Sequence, residues 1–397
     1  MSLLKSRNFL LVLLSATVLA IPMPMLIILG GLAGIQLAPT EGMATLPVSV
    51  QMLAGLFTVA PMSVFMGRVG RKLGFLTAAG FALVGGGLAA FGLITNAFFL
   101  LCLGHAFMGA AIVSFNLFRF AAAELVDPGQ QSKAISITLG SGLVAALLAP
   151  EVFQVSRGLV DPIVLAGPYL ALSSLALLGA IPLLFARFAP PTPKIKTAGN
   201  LATSSKKLMQ RPRLVWAIIC GAGSAAGMTI LMTPTPLAMV GCGFSDVQAS
   251  DVIRWHVVAM FAPSFVTGSI INRIGANKVV IIGAVLLILS GIIAMSGILI
   301  VNFYVSLILL GVGWNFGFVG ATALLNSELR DDEKALFQGV NDTIIALGAT
   351  LASFASGLLI ASFSWALVAA VLIALSITVG LSSMIQARFT AHDQTPA

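Results

Sequence analysis

Two stretches of this chain set sulfur and imidazole donors at helical spacing: Met228-Thr-Ile-Leu-Met232 and His256-Val-Val-Ala-Met260. Residues four apart share one face of a helix, so each stretch presents a two-residue stripe of donors. With the first helix ending near Gly241 and the second starting near Ala249, Met232 and His256 lie about 14 and 10 Å below one surface. Met228 and Met260 come out at about 20 and 17 Å on the same arithmetic. Antiparallel neighbours would therefore set Met232 against His256 and Met228 against Met260. Soft thioether donors joined to imidazole suit Cu(I), whereas methionine is a poor ligand for Zn or Mg. The same residues also have a packing reading. Methionine fills irregular gaps and the chain has 15 of them, while a buried histidine bonded to a neighbouring helix would be no ligand. Against that stands the scarcity of histidine, with three in all.

Other groups able to do chemistry inside apolar stretches are few: His105, Arg119, Glu151, Arg157, Asp251, Arg254 and Asp342. Arg119, Arg157 and Asp251 fall near the ends of their stretches, where long side chains snorkel to the interface. Glu151, after Pro150, and Asp342 are the candidates for proton coupling, because a carboxyl inside a membrane span is costly unless it works. An organic solute would instead look to aromatic and amide groups such as Trp255, Trp314, Asn315 and Asn341. There is no Ser/His/Asp set, no His-Glu-x-x-His and no Gly-rich phosphate loop, so an enzyme and a directly ATP-driven pump are both disfavoured.

The elements that must position these residues follow from composition. Hydrophobic residues are 58% of 397 and charged residues 9%, against roughly 45–50% and 25% in soluble domains. Such a chain cannot make a water-facing surface, so most of its surface meets lipid. About twelve apolar runs long enough to span a bilayer start near Asn8, Met43, Leu73, Ala97, Lys133, Ile163, Arg213, Ala249, Val279, Asn302, Leu336 and Ser364. This predicts an all-α membrane protein of two six-helix bundles, 1–187 and 213–397, joined by a polar linker over 188–212. The formal charge of +8 is spread over short loops, which excludes a nucleic-acid face. Cys102, Cys220 and Cys242 lie in or beside apolar runs, so no disulfide framework is expected.

Lys and Arg gather in alternate loops, with Lys5, Arg7, Arg68, Arg71, Lys72, Lys133, the linker, Arg273, Lys278, Arg330, Lys334 and Arg388 on one side. Positive loops stay in the cytoplasm, which predicts a multi-pass inner-membrane protein with both termini cytoplasmic. The halves also repeat. Gly67-Arg68-Val-Gly70-Arg71-Lys72 is echoed by Asn272-Arg273-Ile-Gly275, with Arg273 205 positions beyond Arg68; Glu124-Leu-Val-Asp127 is echoed by Glu328-Leu-Arg-Asp331. Pro22-Met-Pro24 and Pro234-Thr-Pro236 interrupt the first and seventh runs alike. Paired halves of this kind surround a midplane site in transporters.

Twelve spans, a central linker and the twin loops built on Arg68, Gly70 and Arg71 and on Arg273 and Gly275 resemble the major facilitator superfamily over the whole chain. The acidic position of its loop motif is Gly67 in one half and Asn272 in the other, so both copies depart from the pattern. Within the superfamily, Met228, Met232, His256 and Met260, with Cys220 and Cys242, are similar to the CcoA-type copper importers that serve cytochrome cbb3 oxidase assembly. That resemblance implies copper as the transported substrate, no resident cofactor, a monomer, downstream copper-handling proteins as partners, and a route from Cys242 past the methionine–histidine pairs to Cys220. Met23 and Met25 could add donors. The alternative is a carrier of an organic solute such as riboflavin, or a proton-coupled drug transporter.

Overall fold

The computed structural model of the protein describes residues 6–127, 130–188, 211–329 and 334–392. Most of the expected linker, the start of the chain at Lys5, and Arg330 and Asp331 of the second acidic motif lie outside them. Among the described residues, eleven helices are long and apolar enough to cross a membrane. They run Arg7–Leu37, Glu41–Val69, Arg71–Ile94, Phe98–Glu124, Lys133–Ser156, Ala166–Phe185, Pro212–Gly241, Ala276–Met295, Ile300–Ser327, Phe337–Ser362 and Trp365–Ala387. The twelfth, eighth in chain order, is a bent pair, Asp246–Phe261 with Ser264–Ile274, turning by 41°. All twelve expected starts fall within a few residues of a helix, because hydrocarbon forces each polar backbone group into intrahelical bonds.

The breaks have local causes. Proline lacks the N–H that would bond the preceding turn. Pro22 follows the end of Arg7–Ala20, and Pro234 follows the end of Pro212–Met232. Pro263 caps the second limb of the eighth span. Asn315 of the tenth span then ties the two limbs together. Its Nδ2 donates to the Met260 carbonyl at 2.8 Å and to Ser264 Oγ at 2.6 Å, while its Oδ1 accepts from Thr267 Oγ1 at 2.7 Å.

Gly70 and Gly275 carry φ of 95° and 89° and join the second span to the third and the eighth to the ninth. That left-handed backbone suits glycine alone, so the repeated loop has a shared geometric cause. Small residues also let helices approach. A Cβ on Gly85 would stand 2.7 Å from the Gly104 carbonyl, and one on Gly283 2.8 Å from the Gly313 carbonyl, as membrane packing favours.

Contacts divide the chain into two units. One is Met1–Ile195 with Ser245–Arg254, and the other is Lys196–Phe244 with Trp255–Ala397. The first unit contains a buried polar knot. His105 Nδ1 donates to Gln51 Oε1 at 2.9 Å, and Tyr169 Oη donates to His105 Nε2 at 2.7 Å, since an amide oxygen can only accept.

Candidate functional site

The donors of the seventh and eighth spans are buried, and His256 has a defined partner. His256 is 0% exposed. Its Nδ1 lies 2.7 Å from the main-chain carbonyl of Leu307 in the tenth span. A carbonyl only accepts, so Nδ1 holds the proton and Nε2 is a bare lone pair. Nε2 is buried with no hydrogen-bond partner among the described residues. Met260, one turn on, is buried, and its carbonyl is bonded by Asn315.

Met228 and Met232 are also buried, in the last turns of Pro212–Met232. At the break just beyond, the Thr233 hydroxyl is buried without a partner among the described residues, while Thr235 Oγ1 donates back to the Leu231 carbonyl. Pro234 and Pro236 cannot donate to the carbonyls of Ile230 and Met232. The break therefore gathers backbone oxygens, a hydroxyl and a thioether in one turn.

The two cysteines occupy different surroundings. Cys220 is fully buried among Leu214, Ile218, Val280, Ala284 and Val379, and its Sγ stands 3.6 Å from the Val379 carbonyl of the twelfth span. Cys242 is exposed at the end of the short helix Thr235–Gly241. Cys102 is buried in the fourth span, Met25 is buried and Met23 half-buried. Among the described residues, no three His, Cys, Asp or Glu side chains cluster as a metal site.

The carboxylates divide as well. Glu151 is exposed at 58% and accepts from Arg254 Nη2 at 2.6 Å; Arg254 Nε lies 3.5 Å from Asp251. Arg157 pairs with Asp246 at 2.7 Å. These ion pairs lie inside the first unit, which includes Ser245–Arg254. Asp342 is exposed in the eleventh span, and its Oδ1 accepts from Asn341 at 3.1 Å. In the loop motifs Arg68 and Arg273 are exposed, whereas Arg71 makes a two-pronged pair with Glu124 at 2.7 and 3.2 Å.

Residues suited to an organic solute are placed unequally. Asn315 is used up by the bend of the eighth span. Trp255 is exposed, as an interfacial anchor would be. Trp314 stacks on Phe318 at 5.0 Å and 16°, and its indole N–H is buried without an acceptor among the described residues. Asn341 is buried, with its Oδ1 beside Gly221. Sequence reasoning passed over Phe318, Gln51 and Tyr169. Phe318 shares a helical face with Trp314 at four-residue spacing, which was a readable signal, whereas Gln51 and Tyr169 meet His105 only across helices.

Comparison with known proteins adds to this geometry. The sequence profile of the Major Facilitator Superfamily matches residues 243–396. The chain is 36% identical over 360 residues to the riboflavin transporter RfnT of Brucella anthropi, covering 90% of each. It is 30% identical to the uncharacterized MFS-type transporter YdeG of Bacillus subtilis, covering 90% of this chain and 84% of that one. The crystal structure of a D323A mutant of the nucleoside transporter NupG superposes with a TM-score of 0.76 at 15% identity, covering 96% of this chain and all of that one. At that identity the likeness concerns the fold alone.

Proposed function

The chain belongs to the major facilitator superfamily, and from that footing we propose that it carries a planar organic solute of the riboflavin class by alternating access. It is a multi-pass membrane transporter and not an enzyme. The observation that carries the substrate class is the relative of 36% identity over nine-tenths of both chains, which is a riboflavin transporter. The residues agree with that chemistry. The Trp314–Phe318 stack offers an aromatic face, and the unpaired indole N–H offers a donor, the combination that holds a heteroaromatic ring by stacking and one directional bond. We place the termini in the cytoplasm of a bacterial inner membrane, on the positive-inside pattern.

A second reading, copper import toward cytochrome cbb3 oxidase assembly, has one specific observation in its favour. The bare Nε2 of His256, buried in a bilayer-spanning helix with Met260 one turn away, is a lone pair in need of a proton donor or a cation. Met228, Met232, Cys220 and Cys242 are the further donors of this reading. The two readings part in one experiment. Uptake of radiolabelled riboflavin and of copper is measured side by side in a strain lacking its own carriers, for wild type, Trp314→Ala, Met232→Leu and His256→Ala, with protein levels followed. Riboflavin uptake that falls about tenfold or more with Trp314→Ala and survives the other two changes supports the flavin reading. Copper accumulation that requires Met232 and His256, in cells taking up no riboflavin, overturns it in favour of the second.

A further inference from the structure

A groove of about 610 Å³ is cut between the second, third and fourth spans, lined by Ala54, Phe57, Pro61, Phe65, Phe81 and Phe107 among others. Phe57 is 70% exposed, and Phe81 meets Phe107 edge-on at 5.9 Å to form one wall. The two threonines in the lining add no free polarity. Thr58 Oγ1 donates to the Ala54 carbonyl at 2.7 Å and Thr77 Oγ1 to the Leu73 carbonyl at 2.9 Å, so both hydroxyl protons are already used. A polar solute finds nothing to bond there, and hydrocarbon fits.

A charge follows one turn beyond the last groove residue of the second span. Ala54, Phe57, Pro61, Phe65 and Arg68 fall at three- and four-residue spacing on one stripe of the second span. Arg68 is exposed in the last turn of that helix. Its basic neighbours are engaged elsewhere, Arg71 with Glu124 and Lys72 with the Leu184 carbonyl at 2.5 Å. Along the helix, Phe65 and Phe57 lie about 5 and 16 Å from Arg68. One leaflet of hydrocarbon is about 15 Å deep, so the groove matches a single tail hanging from a headgroup at Arg68.

We propose that this groove is a site for one acidic phospholipid of the leaflet at the Arg68 end, its phosphate on the Arg68 guanidinium and one acyl chain against Phe57, Phe65, Phe81 and Phe107. A guanidinium takes phosphate in a two-pronged, charge-assisted contact. An exposed apolar channel inside a bilayer is covered by lipid or by another protein chain. The cation on the stripe selects the lipid, and an anionic one.

Native mass spectrometry of the whole chain tests this, after delipidation and re-addition of dioleoylphosphatidylglycerol or dioleoylphosphatidylcholine. We expect one phosphatidylglycerol adduct favoured about fivefold, the factor for one basic residue at a charged surface. Arg68→Gln should bring the two lipids level, and Ala110→Phe, which fills the groove floor, should remove both adducts. A phosphatidylglycerol with a photoreactive group in its tail should label the second-span peptide bearing Phe57 and Phe65 in the wild type, a readout that needs no variant. Equal adducts in the wild type, a preference that persists in Arg68→Gln, labelling confined to other peptides, or a lipid-free dimer would each overturn the assignment.

Discussion

Replacing Asn315 by leucine separates a structural role from a solute-binding one. The side chain makes three hydrogen bonds, to the Met260 carbonyl, Ser264 Oγ and Thr267 Oγ1, all between 2.6 and 2.8 Å, across the bend of the eighth span. Interhelical hydrogen bonds in membranes average about 0.6 kcal/mol, so losing three costs about 2 kcal/mol. The true figure is at least that, because the Met260 carbonyl is left facing hydrocarbon. At about 2–4 °C per kcal/mol for a unit of this size, Tm falls by about 4–8 °C. The assay is thermal unfolding with a thiol-reactive dye in a Cys242→Ser background, where buried Cys102 and Cys220 report. Uptake per folded molecule at low temperature should stay within about twofold of wild type. An unchanged Tm with uptake abolished would refute this reasoning and make Asn315 a solute ligand.

Three further outcomes are expected. In the native protein a bulky maleimide modifies Cys242 alone, and Cys102 and Cys220 react only after unfolding, as their burial requires; rapid modification of Cys220 in the folded state would refute its place in the apolar core. Asp342→Cys reacts with a membrane-impermeant charged thiol reagent, because an exposed carboxylate in the eleventh span must meet water rather than lipid; a wholly unreactive thiol would put that residue against lipid. Gly275→Ala destabilises by about 1–3 kcal/mol, read as a fall in Tm, because φ 89° with ψ 151° is backbone that essentially only glycine adopts. An added Cβ there meets nothing within 4 Å, so the φ of 89° supplies the whole penalty, and an unaltered Tm would contradict that.

Much of the architecture was legible because a bilayer leaves the chain little choice. Stretches of apolar residues must become helices, since only a helix bonds its own backbone in hydrocarbon, and residue counting found twelve starts close to where the helices lie. Proline marked the breaks of the first and seventh spans, and Gly70 and Gly275 marked the repeated loop, whereas the bend of the eighth span at Pro263 was not read. Burial of Met228, Met232, His256 and Met260 was legible too, from their place inside long apolar runs. The identities of partners were not. Helical periodicity gives a direction on one helix but says nothing about the rotation of its neighbour, so depth alone could not tell which atom His256 meets.

Sequence alone therefore determined that the chain spans a membrane as two repeated bundles, and that a handful of thioethers, imidazoles and carboxylates sit inside it. Tertiary packing decided how each was used. It turned His256 Nδ1 to the Leu307 carbonyl and left Nε2 bare, and it bound Glu151 to Arg254. Asn315 was spent on the bend of the eighth span. The physical reason is range. Hydrophobic spacing acts within one helix and is written in adjacent residues, whereas a hydrogen bond between spans needs two atoms within about 3 Å across 48 to 103 positions of sequence.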